Sequence, residues 1–544
     1  MSRTAYIDSP PALSEAPASA VRTRTAGREW FTDLAVGFSF SNLCYLRVWT
    51  GLLDYNRVEM FSMKAPPRPV EYLAAIANVL LLGALCCAAI RIARQPHGIC
   101  RIAARAGLVL AGFAPLNSLR DTVSLKLSLP MLRFGLFTSL GKSNLIIVSV
   151  LAGALMALVV LRWHRVLLRT AYTTLLILFA FVPMTFGQAA WAAGSNTAGF
   201  GDQIPGNRVD QPRHARVLWI IFDEWDYRLT FVDRPAGLAF PAFDRFRAGA
   251  FHATHAYPPA GETLRSIPAL MAGRFVITSK PNGVKELDLT YAGEPKPIVW
   301  GPEETLFSSA RRAGINSAVA GWYIPYCRVL GSSLAECTWE ELVVQRNSMG
   351  DTFSDILPNQ ARSLLETNLL SVCGQSLPTA RESRLYQSML ARAEQLAQDP
   401  SLGLVFVHMP VTHVPYFYDH TTKRPTLKNS LVAGYRDSLE LADRTFAALR
   451  RTMERAGTWE NTAILLTADH WFRQSASLDG KVDHRVPYLL KLAGQNEGVR
   501  YDSPFNTVLT HDLLLRLLRN ELETPQEVMH WLDVNRSIAE SPYN

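Results

Sequence analysis

The chain has 544 residues, 48% of them hydrophobic, and a formal net charge of +8 from 55 Lys+Arg and 47 Asp+Glu. Residues 1–200 hold 19 Lys+Arg against 8 Asp+Glu, and the remainder 36 against 39. The length exceeds a single domain, and the positive excess sits beside apolar segments, which excludes a basic nucleic-acid surface.

Residues 1–30 are rich in Ala, Ser, Pro and Arg and lack a core pattern, which predicts a disordered cytoplasmic tail. The first apolar stretch begins too late for a cleavable signal peptide and has no small-residue cleavage site. A helical membrane bundle is expected over residues 31–193, with about five spans. They are Leu34–Leu53, Glu71–Ile90, Ala104–Leu119, Asn144–Leu161 and Val166–Ala193. Arg91, Arg94, Arg101 and Arg105 lie between the second and third spans, and Arg162, Arg165 and Arg169 between the fourth and fifth. The positive-inside rule places both loops and the N-terminus in the cytoplasm, and everything after Ala193 outside. The expected location is thus the plasma (inner) membrane, multi-pass, with an extracytoplasmic, periplasmic domain. Arg47, inside a span, is read either as functional or as paired within the bundle.

Residues 194–214 form a Gly/Pro/Asn-rich linker, and a globular domain occupies residues 215–544. It opens on VLWIIFDEWDY, Val217–Tyr227, a β-branched and aromatic run that ends in Asp223 and Glu224. Such a run fits a strand buried on both faces of a parallel sheet, with two acids at its carboxyl end where ligands collect. Adjacent acids repel each other unless a cation or protons compensate. Helical and strand patterns then alternate: Glu304–Ala313 and Ser317–Trp322, Arg384–Leu396 and Gly403–His408, Leu431–Ala456 and Ala463–Thr467, with a last helix Asn506–Leu518. This alternation predicts an α/β domain with a mostly parallel sheet covered by helices. Cys327 and Cys337, ten apart in the exported part, can pair in an oxidising compartment.

Within this frame, GETLRSIPALMAGR (Gly261–Arg274) places Thr263 near a helix N-terminus, where the free N–H groups favour an anion. Ser266 is its nearest rival hydroxyl. LLTADH (Leu465–His470) is a strand ending in Asp469 and His470, and His484 follows in DHRVPY. FVHMPVTHVPYF contains His408 and His413. Acids and histidines placed after separate strands, with a hydroxyl to activate, make a hard-to-borderline metal site.

The strand-then-Asp opening, the Thr263 block, Asp469-His470 and His484 together resemble the alkaline-phosphatase superfamily in its sulfatase-like branch. The spacing from Thr263 to Gly273-Arg274 is that of the sulfatase signature, with Thr263 at the nucleophile position. Thr263, Ser266 and Pro268 fit the Thr-x-x-Ser-x-Pro pattern of phosphoethanolamine transferases. A five-span anchor before the domain is similar to those enzymes and to lipoteichoic acid synthases. The resemblance implies Asp223, Glu224, Asp469 and His470 as metal ligands, Thr263 as nucleophile, and His413 and His484 around the substrate or a second metal. It implies a divalent cofactor, zinc ahead of manganese or calcium. It also implies a transferase that moves a phosphoethanolamine- or phosphoglycerol-type head group between a membrane lipid and an envelope glycan or lipid. The alternatives are a hydrolase of sulfate or phosphate esters and, from another class, a metal-free membrane scaffold or sensor.

Overall fold

The computed structural model describes residues 18–53, 67–95, 97–126, 151, 162–163, 166, 168–195, 208–209, 215–282, 286–301, 305–340, 352–365, 378–426 and 431–536. The chain divides into two compact units. The first draws on Met1–Leu53, Arg68–Ser195 and Asn347–Leu369, the second on Asp54–Pro67, Asn196–Arg346 and Leu370–Asn544.

Among the described residues, three helices of the first unit are long and apolar enough to cross a membrane: Pro69–Ala93, Ile99–Val123 and Leu168–Ser195. They correspond to the second, third and fifth expected spans. The first expected span falls on helices Ala18–Cys44 and Leu46–Leu53, where Asp33, Ser39, Ser41, Asn42 and Arg47 dilute the apolar run. The fourth, Asn144–Leu161, lies almost wholly outside the described residues. Residues 18–30, expected to be disordered, begin the helix Ala18–Cys44; the prolines that oppose a helix, Pro10, Pro11 and Pro17, all precede it.

Helix Pro69–Ala93 packs on Ala18–Cys44 through glycines. A Cβ on Gly37 would lie 2.5 Å from the Gly83 carbonyl oxygen, so only a hydrogen permits this approach. Two ion pairs lie inside the unit: Arg47 with Asp121, and Asp33 with Arg94 at 2.7 Å, where Asp33 also accepts from Tyr172 at 3.1 Å. Arg47 therefore has the paired role. Helix Phe353–Leu365 also belongs to this unit. Asn78 donates to the Leu357 carbonyl at 3.0 Å, and Gln360 donates to the Glu71 carbonyl at 3.0 Å.

The second unit is built on an eight-stranded sheet. In chain order its strands are β1 (Arg216–Phe222), β2 (Phe251–Ala253), β3 (Ser317–Trp322), β4 (Glu336–Glu340), β5 (Leu404–Met409), β6 (Thr462–Thr467), β7 (Tyr488–Lys491) and β8 (Val499–Tyr501). Their spatial order is β8-β2-β7-β6-β1-β5-β3-β4. All pairs from β6 to β4 are parallel, whereas β7 runs antiparallel to β6 and β2. Every residue of β1, β3, β5 and β6 is buried, so both faces of the central sheet are covered. One helical group comprises Pro241–Ala248, Pro378–Gln398 and Leu431–Arg455; another comprises Thr263–Ala272, Leu306–Arg312 and Thr510–Leu518. The expected parallel α/β architecture is thus present.

Strands β2, β4 and β8 and the small sheet Val276–Asn282, Glu286–Tyr291 and Ile298–Val299 were not anticipated from the sequence. They are short or mixed in polarity, so neither a buried run nor a clean alternation marks them. Cys327 and Cys337 form a disulfide that ties the helix Tyr326–Leu330 to β4.

Candidate active site

Sheet register delivers the acids and imidazoles to one edge. Ile221 of β1 stands opposite His408 of β5 and Thr467 of β6, so the carboxyl ends of three adjacent parallel strands are level. Asp223 leaves β1 one residue past its end, and Asp469-His470 leave β6 two residues past its end. That edge is where an open α/β sheet presents polar groups to a ligand.

Asp223, His408 and Asp469 each offer one ligand atom, all within 4.8 Å of one another, and all three side chains are buried. Asp223 Oδ1, His408 Nε2 and Asp469 Oδ2 have no hydrogen-bond partner among the described residues. His470 Nε2 joins them, 3.6 Å from Asp223 Oδ1 and 3.5 Å from Asp469 Oδ2. Buried polar atoms without partners are costly, and their convergence fits a bound cation. Two carboxylates with imidazole suit zinc or a comparable divalent metal. The Tyr326 hydroxyl lies 2.7 Å from His408 Nδ1 and fixes the ring behind the cluster.

The electrostatics of this pocket lean negative. Burial opposes charge on Asp223, but His413, His408 and His470 together outweigh it and hold the carboxyl below the usual range. Asp469 moves the other way, raised by burial and then by its neighbour Asp223. On His470 burial favours the neutral ring, yet Asp469, Asp223 and Glu224 lift its affinity for a proton above the ordinary value.

Thr263 opens the helix Thr263–Ala272, and its side chain is buried against the cluster. Its Oγ1 lies 3.3 Å from His470 Nε2 and 3.5 Å from Asp223 Oδ2. Nδ1 of His470 is 2.9 Å from the Trp471 carbonyl, which can only accept. In the neutral ring Nδ1 therefore carries the hydrogen and Nε2 presents a lone pair. Ser266 is committed elsewhere: its hydroxyl donates to the Ala260 carbonyl at 2.8 Å and accepts from the Ala260 amide at 3.1 Å. It braces the turn before Thr263, and the helix starts at Thr263, as expected, with Pro268 inside it.

The other expected residues are placed as follows. Glu224 is buried, but its carboxylate accepts from Arg473 Nε at 2.7 Å and stands apart from the Asp223–His408–Asp469 group. Its backbone is left-handed at φ 60°. His413 packs on Trp322 with ring centroids 5.0 Å apart, and its charge bears on Asp223. His484 lies on Trp471, centroids 4.3 Å apart. Sequence reasoning passed over His408 in favour of His413. The signal was available, since His408 sits inside the apolar run of β5 at the position level with Ile221.

A family model described as Sulfatase matches residues 216–514. No curated protein matches the chain. Among solved structures, Ps i-CgsB in complex with k-i-k-neocarrahexaose is 14% identical, covering 61% of this chain and 78% of that one at a TM-score of 0.40. An alkaline-phosphatase-superfamily protein from Vibrio parahaemolyticus is 14% identical over 60% and 71% at 0.37. Phosphonate monoester hydrolase of Agrobacterium radiobacter is 12% identical over 56% and 73% at 0.36. At such identity and overlap these likenesses bear on neither substrate nor mechanism.

Proposed function

This chain belongs to the sulfatase family, and we propose that it is a metal-dependent membrane transferase of a phospho-linked head group, with Thr263 as nucleophile. The observation that carries this reading is the hydroxyl of Thr263, 3.5 Å from Asp223 Oδ2 and 3.3 Å from His470 Nε2, beside unpartnered ligand atoms of Asp223, His408 and Asp469. Asp223, His408, Asp469 and His470 would hold a divalent cation, zinc ahead of manganese or calcium. When bound, that cation neutralises charge on the phosphoryl group and acidifies the attacking hydroxyl.

The chain's own groups account for the remaining steps. Thr263 Oγ1 forms a bond to phosphorus as its proton passes to Asp223 Oδ2, 3.5 Å away. The bond from phosphorus to the donor's alcohol oxygen breaks, and His413 or His484 protonates that oxygen. The acceptor's hydroxyl then attacks the phosphothreonine, loses its proton to the same histidine, and Thr263 regains its own. The start of helix Thr263–Ala272 has no side-chain cap, and its free N–H groups favour the anionic oxygens of an ester. A thiol is absent at position 263, so the formylglycine chemistry of sulfate-ester hydrolysis does not apply to this residue.

A membrane anchor suits a lipid donor and an envelope lipid or glycan acceptor. The arginine clusters favour a cytoplasmic N-terminus and a catalytic unit outside the inner membrane. The test is mass spectrometry of envelope lipids and glycans from cells with wild-type protein and with Thr263→Ala. A defined phospho-group gained only with the wild type supports transfer. Loss of a phosphate or sulfate group from an envelope component, with none gained, favours the hydrolase reading.

A further inference from the structure

We propose that Arg473 is a specificity-determining residue that binds an anionic oxygen of the substrate and selects esters by their negative charge. This rests on the reading of the site as one that handles phospho-esters. Three observations lead to it.

First, Arg473 is fixed at its root. It follows Asp469 by four residues, and Phe472 before it is buried and stacked on Tyr435, with ring centroids 3.6 Å apart and planes at 7°. The Tyr435 hydroxyl donates to the Glu224 carbonyl at 2.7 Å and accepts from the Asp226 amide at 3.0 Å. The same buried tyrosine therefore holds both the loop of Arg473 and the turn of Asp223-Glu224.

Second, only one nitrogen of the guanidinium is used. Nε donates to buried Glu224, whereas neither Nη nitrogen has a hydrogen-bond partner among the described residues. The side chain as a whole is 48% exposed. The arrangement leaves an oriented two-nitrogen fork facing solvent, and such a fork matches the paired oxygens of a phosphate or similar oxyanion.

Third, the fork belongs electrostatically to the metal-ligand cluster. Arg473 interacts with Glu224, Asp223 and Asp469, and its charge is also felt by His470. Three carboxylates at one sheet edge repel an anionic ester. A fixed cation beside them lowers that barrier and rewards each added negative charge on the ligand.

The bland alternative makes Arg473 a partner for Glu224 and nothing more. Arg473→Lys separates the two, because lysine keeps the charge that Glu224 requires but lacks the fork. The experiment measures binding to the full-length, metal-loaded protein in detergent by calorimetry, at a pH where phenylphosphonate is a dianion. The second probe is its monoanionic monomethyl ester, so the two ligands share one body and differ by one charge. Metal content is measured on every variant. Arg473→Gln is expected to weaken the dianion about tenfold or more and the monoanion about threefold or less. Arg473→Lys should recover metal content and fold yet bind the dianion more weakly than wild type. Equal losses for both ligands, full recovery by lysine, or a wild-type protein that binds neither probe would each overturn the proposal. These readouts do not require turnover, so they separate its failure from failure of the threonine chemistry.

Discussion

Gly261 tests how the site positions His484. A Cβ placed on this glycine would lie 2.6 Å from Cη2 and 2.9 Å from Cζ2 of Trp471. Carbon atoms settle near 3.5–4.0 Å, so the indole must retreat by roughly 1 Å in Gly261→Ala. The indole also packs on the His484 ring at a centroid distance of 4.3 Å, so the displacement is expected to reach that imidazole. Overpacking of this kind costs about 1–3 kcal/mol of stability. A misplacement of roughly 1 Å in a reacting group costs on the order of 10²-fold in rate. The expected result is a large fall in turnover of a chromogenic aryl phosphodiester. Trp471→Phe removes the outer ring atoms that clash, and the double variant should recover much of the loss. Equal loss in single and double variants would refute this chain of contacts.

Two further outcomes follow from other parts of the molecule. A reporter fused after Gly194 should be active outside the cytoplasm and one fused near Gln95 inside; finding both on one side would sink the proposed orientation. Burial pushes Asp443 up to about 6 from 3.8, although the Phe243 and Ala242 amides hold it down. The folded state therefore binds that proton more tightly. Asp443 contributes stability that is fully present below its unfolded value and lost as pH rises through about 6, on the order of 3 kcal/mol. Urea melts of Asp443→Asn across this window should be flatter than wild type; an unchanged slope would show that Asp443 does not carry it.

The legible part of this molecule was the part whose signal is local and repetitive. The run Val217–Phe222 names a doubly buried strand, and β3, β5 and β6 carry the same apolar signature, so the parallel core could be read directly. Asp223, Thr263, Asp469 and His470 were legible because each ends a strand or opens a helix. His408 was obscured because a histidine inside an apolar strand looks structural until its neighbour's register is known. The pairing of Glu224 was also hidden, since Arg473 lies 249 residues away and only the fold brings it there. Helix Phe353–Leu365 shows the same limit. Its sequence sits between β4 and β5, yet Gln360 pairs with groups on helix Pro69–Ala93. Such a contact depends on chain topology and leaves no trace in local periodicity.

The central claim is that Thr263 forms a covalent phospho-intermediate. Protein mixed with donor lipid and quenched before an acceptor is added should show, by intact-mass and peptide analysis, an adduct with the mass of the transferred phospho-group. That adduct is predicted to map to the peptide holding Thr263, to be absent from Thr263→Ala, and to disappear when acceptor is supplied. An adduct on Ser266, or full turnover by Thr263→Ala with no adduct at all, would contradict the account.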